Sequence, residues 1–407
     1  MSAARSVVVM SAARSVVVMS AARSVVVVGA SLAGFSLVRT LREHGHEGSI
    51  TVVGDEPHPP YDRPPLSKEF LREDVDIALS DESATEASWL LGRRAVGITT
   101  TAAGPGVTLD DGTQLAGDSL VLATGARART LPGLGSLRGV HTLRTVDDAH
   151  AIRHSLRTAR TLVVVGAGLI GSEIASTAAA IGIAVTIVEL CPDPLTAVFG
   201  PHIGPLCAAM HDPHGVRLLT GVAIDRFLGD EHVNAVQLTD GTVLSADAVV
   251  IGIGAVPNTE WAEDSDLHID NGFVTDSQCR TSLPGIYAIG DCARSYDEAT
   301  GVHHRSEHWT NATVQARIAA AAILGAPQRP TAAPYFWSRQ YGRMLQFAGN
   351  CRPTDEVRFV DGDPSTPSLT ALYERDGAPV AVFAIDNPRL FTRYRKHIER
   401  LTPIPTS

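Results

Sequence analysis

The sequence predicts an α/β protein made of two parallel-sheet units and a smaller α+β domain at its C-terminal end. A run of valines followed by a glycine-rich turn and a helical stretch occurs twice, beginning at Ser24–Val28 and at Thr161–Val165. Each unit continues into a second apolar strand, which is the alternation expected of βαβ units. After about Gly325 the chain changes to prolines, an aromatic cluster and mixed strand-like runs. This change indicates the separate α+β domain.

Size, composition and charge set the broad class of the protein. The chain has 407 residues, enough for two or three domains at roughly 100–200 residues each. Its hydrophobic share of 44% and charged share of 19% are ordinary for a soluble globular protein. The balance of 34 basic and 44 acidic side chains gives a formal net charge of −10, which argues against nucleic-acid binding. No stretch approaches the roughly 18 uninterrupted apolar residues of a membrane span, so no membrane insertion is expected.

The cysteines predict neither a disulfide framework nor a metal site. Their number is odd and no two of them form a C-x-x-C pair. Free thiols suit a reducing cytosol, so a cytoplasmic location is expected. The five are Cys191, Cys207, Cys279, Cys292 and Cys351.

The N-terminus carries a short repeat. The nonapeptide MSAARSVVV starts at Met1, at Met10 and at Met19, and only the third copy continues into the first strand. Its apolar runs are too short for a signal peptide. We interpret the repeat as a tandem duplication around the start codon and expect residues 1–23 to form a disordered tail.

The remaining elements follow from periodicity and turn signals. In the first unit we expect a helix to about Glu43, a strand at 50–53, a proline-rich loop at 57–65, a hairpin turn at Asp111-Gly112 and a strand at 120–123. In the second unit we expect a turn at 166–171, a helix at 173–181, a strand at 185–189, a hairpin turn at Asp240-Gly241, and strands at 248–254 and 285–289.

The first glycine turn, GASLAG at residues 29–34, has the spacing of a dinucleotide-binding turn. Gly29 permits the tight turn and Gly34 allows close helix–strand packing, while small Ser31 occupies the position where the backbone approaches a pyrophosphate. The helix N-terminus offers free N–H groups to the phosphates. Asp55 follows the second strand, where an acid accepts from ribose hydroxyls.

The second glycine turn, GAGLIG at residues 166–171, matches the complete fingerprint. Glu189 closes the following strand, and a carboxylate there favours a free ribose 2′-hydroxyl over a 2′-phosphate. NADH is therefore expected and NADPH is less favoured. One such turn is weak evidence, but two of them, each with a strand, a helix and a terminal acid, predict two Rossmann-like dinucleotide-binding units.

Several short stretches outside the turns carry a resemblance to a known family. They are YDRPPLSK at 61–68, ATGAR at 123–127, LRT at 143–145, GIGAVPN at 252–258, AIGDCA at 288–293, EHWTNA at 307–312 and PYFWS at 334–338. Together they make the chain, from about Ser24 to Arg395, resemble the FAD-dependent NADH:ferredoxin reductases of bacterial oxygenase systems, the putidaredoxin reductase type. The resemblance implies a glutathione-reductase-like plan. Residues 24–130 and 259–327 would form an FAD-binding domain, residues 131–258 an NAD-binding domain, and residues 328–407 a C-terminal interface domain.

The resemblance also implies roles for individual residues. Lys68 would lie beside the flavin N5 edge, where an ammonium stabilises negative charge on the reduced flavin. Glu173, expected to open the second helix, would pair with Lys68 and face the nicotinamide. Asp291 would accept from a ribityl hydroxyl, Arg127 and Arg144 would hold the FAD end groups, and Trp309 would stack near the flavin. The cofactor-binding set implied in this way is completed by Gly29, Ser31, Leu32, Ala33, Gly34, Asp55, Glu56, Arg63, Ala95, Ala123, Thr124, Gly125, Gly166, Gly168, Leu169, Ile170, Gly171, Glu189, Gly254, Gly290, Glu307 and His308.

By the same resemblance, hydride would pass from NADH to FAD, and single electrons would leave to a [2Fe–2S] ferredoxin that serves a cytochrome P-450 or a ring-hydroxylating dioxygenase. Where the family often has an acid, the chain has Arg339, within WSRQY at 337–341. Because ferredoxins are typically acidic, a basic docking patch is a further expectation. It would comprise Arg305, Arg339, Arg343, Arg393, Arg395 and Lys396.

Three other functions are compatible with the same fold. A rubredoxin could replace the ferredoxin as the acceptor. A thiol-dependent disulfide reductase or NADH peroxidase would need a redox cysteine shortly after the first unit, and no cysteine precedes Cys191. An NADH sensor similar to apoptosis-inducing factor would bind the same cofactors but would be reduced slowly, and the presence of Lys68 and Glu173 argues against it.

Overall fold

The computed structural model describes residues 24–80, 86–101, 104–132, 137–298, 300–327 and 333–401. The tail expected at residues 1–23 lies outside the described residues. No helix in the described part is long and apolar enough to cross a membrane.

The first parallel sheet is built around the valine run of β1 (Ser24–Val28), which is buried because helices cover one face and a small sheet covers the other. Helices α1 (Leu32–Glu43) and α5 (Trp309–Leu324) pack together on one face. The last strand of the sheet comes from far along the chain, so two distant segments complete one sheet. The order is β19 (Ile286–Ala288), β7 (Ser119–Leu122), β1 (Ser24–Val28), β2 (Ser49–Gly54) and β3 (Ser88–Leu91).

The second parallel sheet repeats this plan. Helices α2 (Val146–Leu156) and α3 (Leu169–Ala180) cover one face. A small sheet of β13 (Ile224–Leu228), β14 (Ala235–Leu238) and β15 (Val243–Ser245) packs on the other face. The order of the parallel strands is β12 (Arg217–Thr220), β11 (Ala184–Glu189), β10 (Thr161–Val165), β16 (Ala248–Ile251) and β9 (Val140–Thr142).

Smaller sheets complete the two units. One comprises β4 (Ala95–Thr101), β5 (Gly104–Leu109) and β6 (Gln114–Ala116), and a second comprises β13 (Ile224–Leu228), β14 (Ala235–Leu238) and β15 (Val243–Ser245). A two-stranded pair joins β8 (Ala126–Ala128) to β17 (Ala255–Pro257), and a mixed sheet contains β18 (Phe273–Thr275), β20 (Ala293–Asp297) and β21 (Val302–Arg305).

The C-terminal sheet is antiparallel and shares its core with the second unit. Helix α6 (Pro388–Leu401) packs on one face, and helix α4 (Thr196–Ala209), kinked at Gly200 where φ is 76°, packs on the other. The buried hydroxyl of Tyr373 donates to the carbonyl oxygen of Phe199 at 2.6 Å. The strand order is β22 (Tyr335–Gln340), β23 (Arg343–Gly349), β26 (Ala378–Ile385), β25 (Leu369–Arg375) and β24 (Glu356–Asp361).

The predicted fold class is confirmed, and both valine strands have the predicted bounds. Two expectations in the second unit are wrong. Helix α3 begins at Leu169 because Gly168 is already its N-cap, so Glu173 lies in the second helical turn and does not open the helix. The strand expected at 248–254 ends at Ile251. The domain boundaries stay predictions.

Candidate active site

The first glycine turn joins β1 to α1, and it leaves no room for a side chain at its first or its last glycine. A Cβ added to Gly29 would lie 2.0 Å from the carbonyl oxygen of Ala123, and one added to Gly34 would lie 2.0 Å from the carbonyl oxygen of Gly29. Ser31 is the N-cap of α1 and makes no side-chain hydrogen bond to the helix. The first turn, which contains Leu32 and Ala33, carries no acidic residue. This helix end therefore suits an anionic phosphate.

Other predicted residues meet at the same edge because the carboxyl ends of parallel strands lie side by side. β7 is followed by Ala123, whose amide donates to the carbonyl oxygen of Val28 at 2.7 Å, and then by Thr124 and Gly125. β19 is followed by Gly290, where a Cβ would lie 3.0 Å from Cβ of Ala33. The edge thus brings segments separated by more than a hundred residues against the first turn of α1.

Arg144 and Asp291 form an ion pair beside this edge, with Nη2 and Oδ2 2.6 Å apart. Both side chains are mostly buried, with 27% and 12% of their surface exposed. Nε of Arg144 is buried and has no hydrogen-bond partner among the described residues. A buried guanidinium nitrogen without a partner is costly, so this site suits a ligand that brings an acceptor.

Glu56 and Arg63 form the opposite side of the turn. Arg63 pairs with Glu56 at 2.7 Å, donates from Nε to Ser31 Oγ at 3.3 Å, and also donates to the carbonyl oxygen of Arg144. Tyr61 donates to Glu56 at 2.5 Å, and burial raises the pKa of Tyr61, which keeps it protonated. Asp55, by contrast, pairs with Arg94 in a mostly exposed position. Glu56 is therefore more closely connected to the turn than Asp55.

The second glycine turn has the same packing and one open position. A Cβ on Gly166 would lie 2.4 Å from the carbonyl oxygen of Gly252, and one on Gly171 would lie 2.1 Å from that of Gly166. Gly168 has an ordinary φ of −70°, and a Cβ there would meet no described atom within 4 Å. The space next to the N-terminus of α3 is therefore open. Leu169 and Ile170 form the first turn of α3, and Ile170 is 47% exposed.

Glu189, the last residue of β11, is hydrogen-bonded to the backbone of this second turn. Its carboxylate accepts from the amides of Ala167 at 2.7 Å and Cys191 at 2.8 Å. The negative charge also raises the pKa of the Cys191 thiol, which disfavours a reactive thiolate there. Gly254 lies between β16 and β17, and a Cβ added there would meet no described atom within 4 Å. Backbone donors thus hold the predicted ribose-binding acid in place.

Lys68 and Glu173 meet where the proline loop crosses α3. Their Nζ and Oε2 atoms are 2.6 Å apart, with 12% and 3% of the side chains exposed. Lys68 also donates to the carbonyl oxygen of Pro64 at 2.8 Å, and Ser67 donates to the same Oε2 at 2.5 Å. One turn further along α3, Thr177 donates to the carbonyl oxygen of Ser67 at 3.1 Å. The predicted pair is therefore formed and is fixed to both units.

The other carboxylate oxygen of Glu173 is held by the C-terminal domain. Ser338, on β22, donates to Oε1 at 2.7 Å, and the amide of Arg339 donates to it at 3.3 Å. Sequence reasoning assigned no role to Ser67 or Ser338. The signal was present, since both residues lie inside stretches that carry the family resemblance.

The residues expected at the flavin rim lie at the start of α5. Trp309 is 36% exposed, donates from Nε1 to Asp62 at 2.7 Å, and meets Trp337 edge to face with the ring centroids 6.0 Å apart. His308 stacks on Phe336 at 4.3 Å, and burial lowers its pKa. Glu307 pairs with Arg305 at 2.6 Å.

Two further predicted residues, Arg127 and Ala95, lie on strands of the smaller sheets. Arg127 is half-exposed on β8 and pairs with Glu260. Ala95 is buried at the start of β4, opposite Leu109, in the core under the first sheet.

The expected docking patch is only partly present. Arg305 is 11% exposed and donates to the carbonyl oxygen of Asp291, so the expectation that it contributes to a surface is wrong. Arg343 and Arg395 are 28% exposed and pair with acids of the same domain. The exposed cations that remain are Arg339, Arg393 and Lys396.

A buried histidine joins the second unit to the C-terminal domain, and nothing in the sequence signalled it. Nδ1 of His211 lies 2.6 Å from the hydroxyl of Tyr341, and the ring of His214 stacks on Tyr341 at 4.2 Å. Burial raises the pKa of Tyr341, so its hydroxyl stays protonated in this hydrogen bond. Burial, with a smaller contribution from His214, lowers the pKa of His211 from 6.5 to about 4.

We expect this histidine to make unfolding easier as the pH falls. The unfolded chain binds a proton at His211 near pH 6.5, whereas the folded protein binds it only near pH 4. The contribution of neutral His211 to the free energy of unfolding is therefore complete above pH 6.5. It is lost as the pH falls towards 4, and the loss amounts to at most about 3 kcal/mol. Melting temperatures measured at pH 7.5 and pH 5 should fall less for His211→Asn than for the wild type. Equal falls would contradict this explanation.

Comparison with known proteins adds to this geometry. A family described as pyridine nucleotide-disulphide oxidoreductase matches residues 23–316, and a family described as reductase C-terminal matches residues 335–407. The chain is 37% identical over 380 residues to the ferredoxin reductase component of chlorobenzene dioxygenase from Cupriavidus sp., covering 91% of each chain. It is 41% identical over 388 residues to rhodocoxin reductase of Rhodococcus erythropolis, covering 92% of this chain and 89% of that protein.

A solved structure is similar over nearly the same range. The crystal structure of the covalent putidaredoxin reductase–putidaredoxin complex matches with a TM-score of 0.89 and 35% identity, covering 94% of both chains. The likeness spans both parallel-sheet units and the C-terminal sheet, since so little of either chain is left out.

Proposed function

Because this chain belongs to the pyridine nucleotide-disulphide oxidoreductase family and ends in a reductase C-terminal domain, we propose that it is an FAD-dependent NADH:ferredoxin reductase. The observation that carries the proposal is the buried Lys68–Glu173 pair, which lies at the crossing of the two dinucleotide-binding units. A buried ion pair rarely adds stability by itself, which favours a functional reason for keeping this one.

FAD fits the first site. The uncapped N-terminus of α1 suits its pyrophosphate, and the unpartnered Nε of Arg144 offers a donor. Residues that would hold it are Ser31, Glu56, Arg63, Arg144 and Asp291, because their polar atoms surround the first turn. In this proposal Trp309 covers the rim of the flavin.

NADH fits the second site. The open space at Gly168 admits a pyrophosphate at the N-terminus of α3, which has no acidic residue in its first turn. The Glu189 carboxylate would accept from the ribose 2′-hydroxyl and would repel a 2′-phosphate, which favours NADH over NADPH. That preference and the individual site residues are part of the proposal.

Lys68 and Glu173 would then act on the reacting edges. Bound FAD supplies the conversion of a two-electron hydride donor into single electrons. The ammonium of Lys68 is held by Pro64, Ser67 and Glu173, so it can stabilise negative charge near it without moving. Glu173 holds the Lys68 side chain in place at 2.6 Å and would orient the nicotinamide.

The electron acceptor proposed is a [2Fe–2S] ferredoxin. Two similar proteins are described as a dioxygenase ferredoxin reductase component and a rhodocoxin reductase, and a similar structure contains putidaredoxin. The ferredoxin would serve a cytochrome P-450 or a ring-hydroxylating dioxygenase. A cytoplasmic location belongs to the same proposal, since free thiols suit a reducing compartment.

Thiol chemistry has little support. All five cysteines are free, and Cys207, Cys279 and Cys292 are buried, with burial raising the pKa of each thiol. Buried thiols of this kind are unreactive.

Anaerobic titration tests the proposal. The purified protein should be yellow, should be bleached by NADH, and should then reduce an added [2Fe–2S] ferredoxin with multiple turnovers. Fast flavin reduction in stopped flow would distinguish an electron carrier from a slow NADH sensor. Reduction of rubredoxin alone would change the acceptor in the proposal. A protein that cannot be reconstituted with flavin would overturn it.

A further inference from the structure

The carboxylate of Glu173 is bound from two directions. On one side Ser67 and Lys68 of the proline loop donate to Oε2. On the other side Ser338 of the C-terminal sheet donates to Oε1 at 2.7 Å. Glu173, Ser67 and Ser338 are 2%, 2% and 1% exposed, so water does not compete for these bonds. Hydrogen bonds to a buried charge orient it more strongly than those at a surface.

A second residue of β22 fixes the direction of the Ser338 bond. The side-chain amide of Gln340 donates from Nε2 to Ser338 Oγ at 3.1 Å, and Gln340 is 1% exposed. A hydroxyl has one proton. Since Ser338 accepts from Gln340, its own proton is available for Glu173. The hydrogen bonds therefore run from Gln340 to Ser338 and from Ser338 to the Glu173 carboxylate.

The residue that follows β22 attaches this segment to α3 at a second point. The amide of Tyr341 donates to Ser176 Oγ at 2.6 Å. Ser176 lies three residues after Glu173, so both contacts are on one face of α3. Helix and strand therefore cannot slide past each other without breaking both contacts, and the distance between Ser338 and Glu173 is fixed.

We propose that Ser338, supported by Gln340, is a positioning residue for the Lys68–Glu173 pair, so that the C-terminal domain takes part in electron uptake from NADH as well as in partner binding. This inference rests on the proposed function. Trp337 and Arg339, which alternate with these residues on β22, are more exposed: Trp337 is half-buried, and 58% of the Arg339 side chain is exposed. One strand thus has a face towards Glu173 and a face towards solvent, where a partner could bind.

The test is stopped-flow reduction of the bound flavin by NADH, without any ferredoxin, in Ser338→Ala. We expect the limiting rate at saturating NADH to fall about tenfold, because Glu173 loses its orientation. The equilibrium dissociation constant of NAD⁺ should change less than about threefold, since the phosphate and ribose contacts remain. Ser338→Thr keeps the hydroxyl and should restore the rate to within about twofold of the wild type. Gln340→Met should give a smaller loss.

Thr370→Val is the matched control. Thr370 is a fully buried hydroxyl residue of the same sheet, and its Oγ1 has no hydrogen-bond partner among the described residues. NADH should reduce the bound flavin of this variant at the wild-type rate. A double-mutant cycle between Ser338→Ala and Glu173→Gln, measured by thermal unfolding, should show non-additive effects, because the two side chains interact.

The outcomes separate the inference from the function on which it rests. If NADH does not reduce the wild-type flavin, the proposed function fails. If NADH reduces the flavin of the wild type and of Ser338→Ala at equal rates, only the role of Ser338 is rejected. The same conclusion follows if flavin reduction is slowed equally in Ser338→Ala and in Thr370→Val. Additive stability effects would also reject it.

Discussion

Replacing Gly168 with aspartate is expected to abolish reduction of the flavin by NADH while leaving the fold and the flavin content intact. The residue is the N-cap of α3 with a φ of −70°, and no described atom would lie within 4 Å of the new Cβ. Aspartate is a preferred N-cap, so the helix should be as stable as before or slightly more stable. A pyrophosphate in the open space would instead face a carboxylate. At 4 Å this repulsion is about 4 kcal/mol for an effective dielectric constant of 20, and NADH should bind at least about 100-fold more weakly.

Gly168→Asn is the control that separates the volume of the new side chain from its charge. Asparagine has nearly the same shape, caps a helix equally well and carries no charge. The measurements are the NAD⁺ dissociation constant, the absorbance of bound flavin and the melting temperature. We expect the asparagine variant to bind at least about tenfold more tightly than the aspartate variant. Equal binding by wild type and Gly168→Asp would show that no phosphate lies at this turn.

The second large effect concerns Lys68→Met. Loss of the ammonium should slow flavin reduction by at least about 100-fold, because a pre-oriented charge next to the reacting groups disappears. It should also lower the free energy of unfolding by about 3 kcal/mol, since Glu173 stays buried without its cation. Lys396→Met is the matched control, because Lys396 is exposed on α6 and is the only other lysine in the chain. Its flavin reduction should be unchanged.

The double variant Lys68→Met/Glu173→Gln separates catalysis from stability. With the buried charge removed as well, most of the lost stability should return, because no ion remains unpaired. Flavin reduction should stay slow, since neither charge is present. Chemical denaturation and stopped-flow reduction measure the two quantities. Recovery of the rate together with stability would mean that the pair has only a structural role.

Local patterns in the sequence were enough to predict the fold class and both glycine turns. The valine runs and the glycines at 29, 34, 166 and 171 act over a few residues, and backbone crowding allows few alternatives at such positions. The ordered family stretches then identified Lys68 and Glu173 as partners. The chain has only two lysines, so the one in the proline loop was already unusual.

Only the tertiary structure decided how the third domain meets this pair. Ser338 reaches Glu173 across 165 residues of sequence, and His211 reaches Tyr341 across 130. Neither contact leaves a periodic or compositional signal, because each depends on how two segments distant in sequence pack against each other. For the same reason Arg305 was expected by sequence to be a surface cation, whereas in the structure only 11% of its side chain is exposed. Short-range sterics can be read along the chain, whereas burial and long-range hydrogen bonds exist only after the domains have packed.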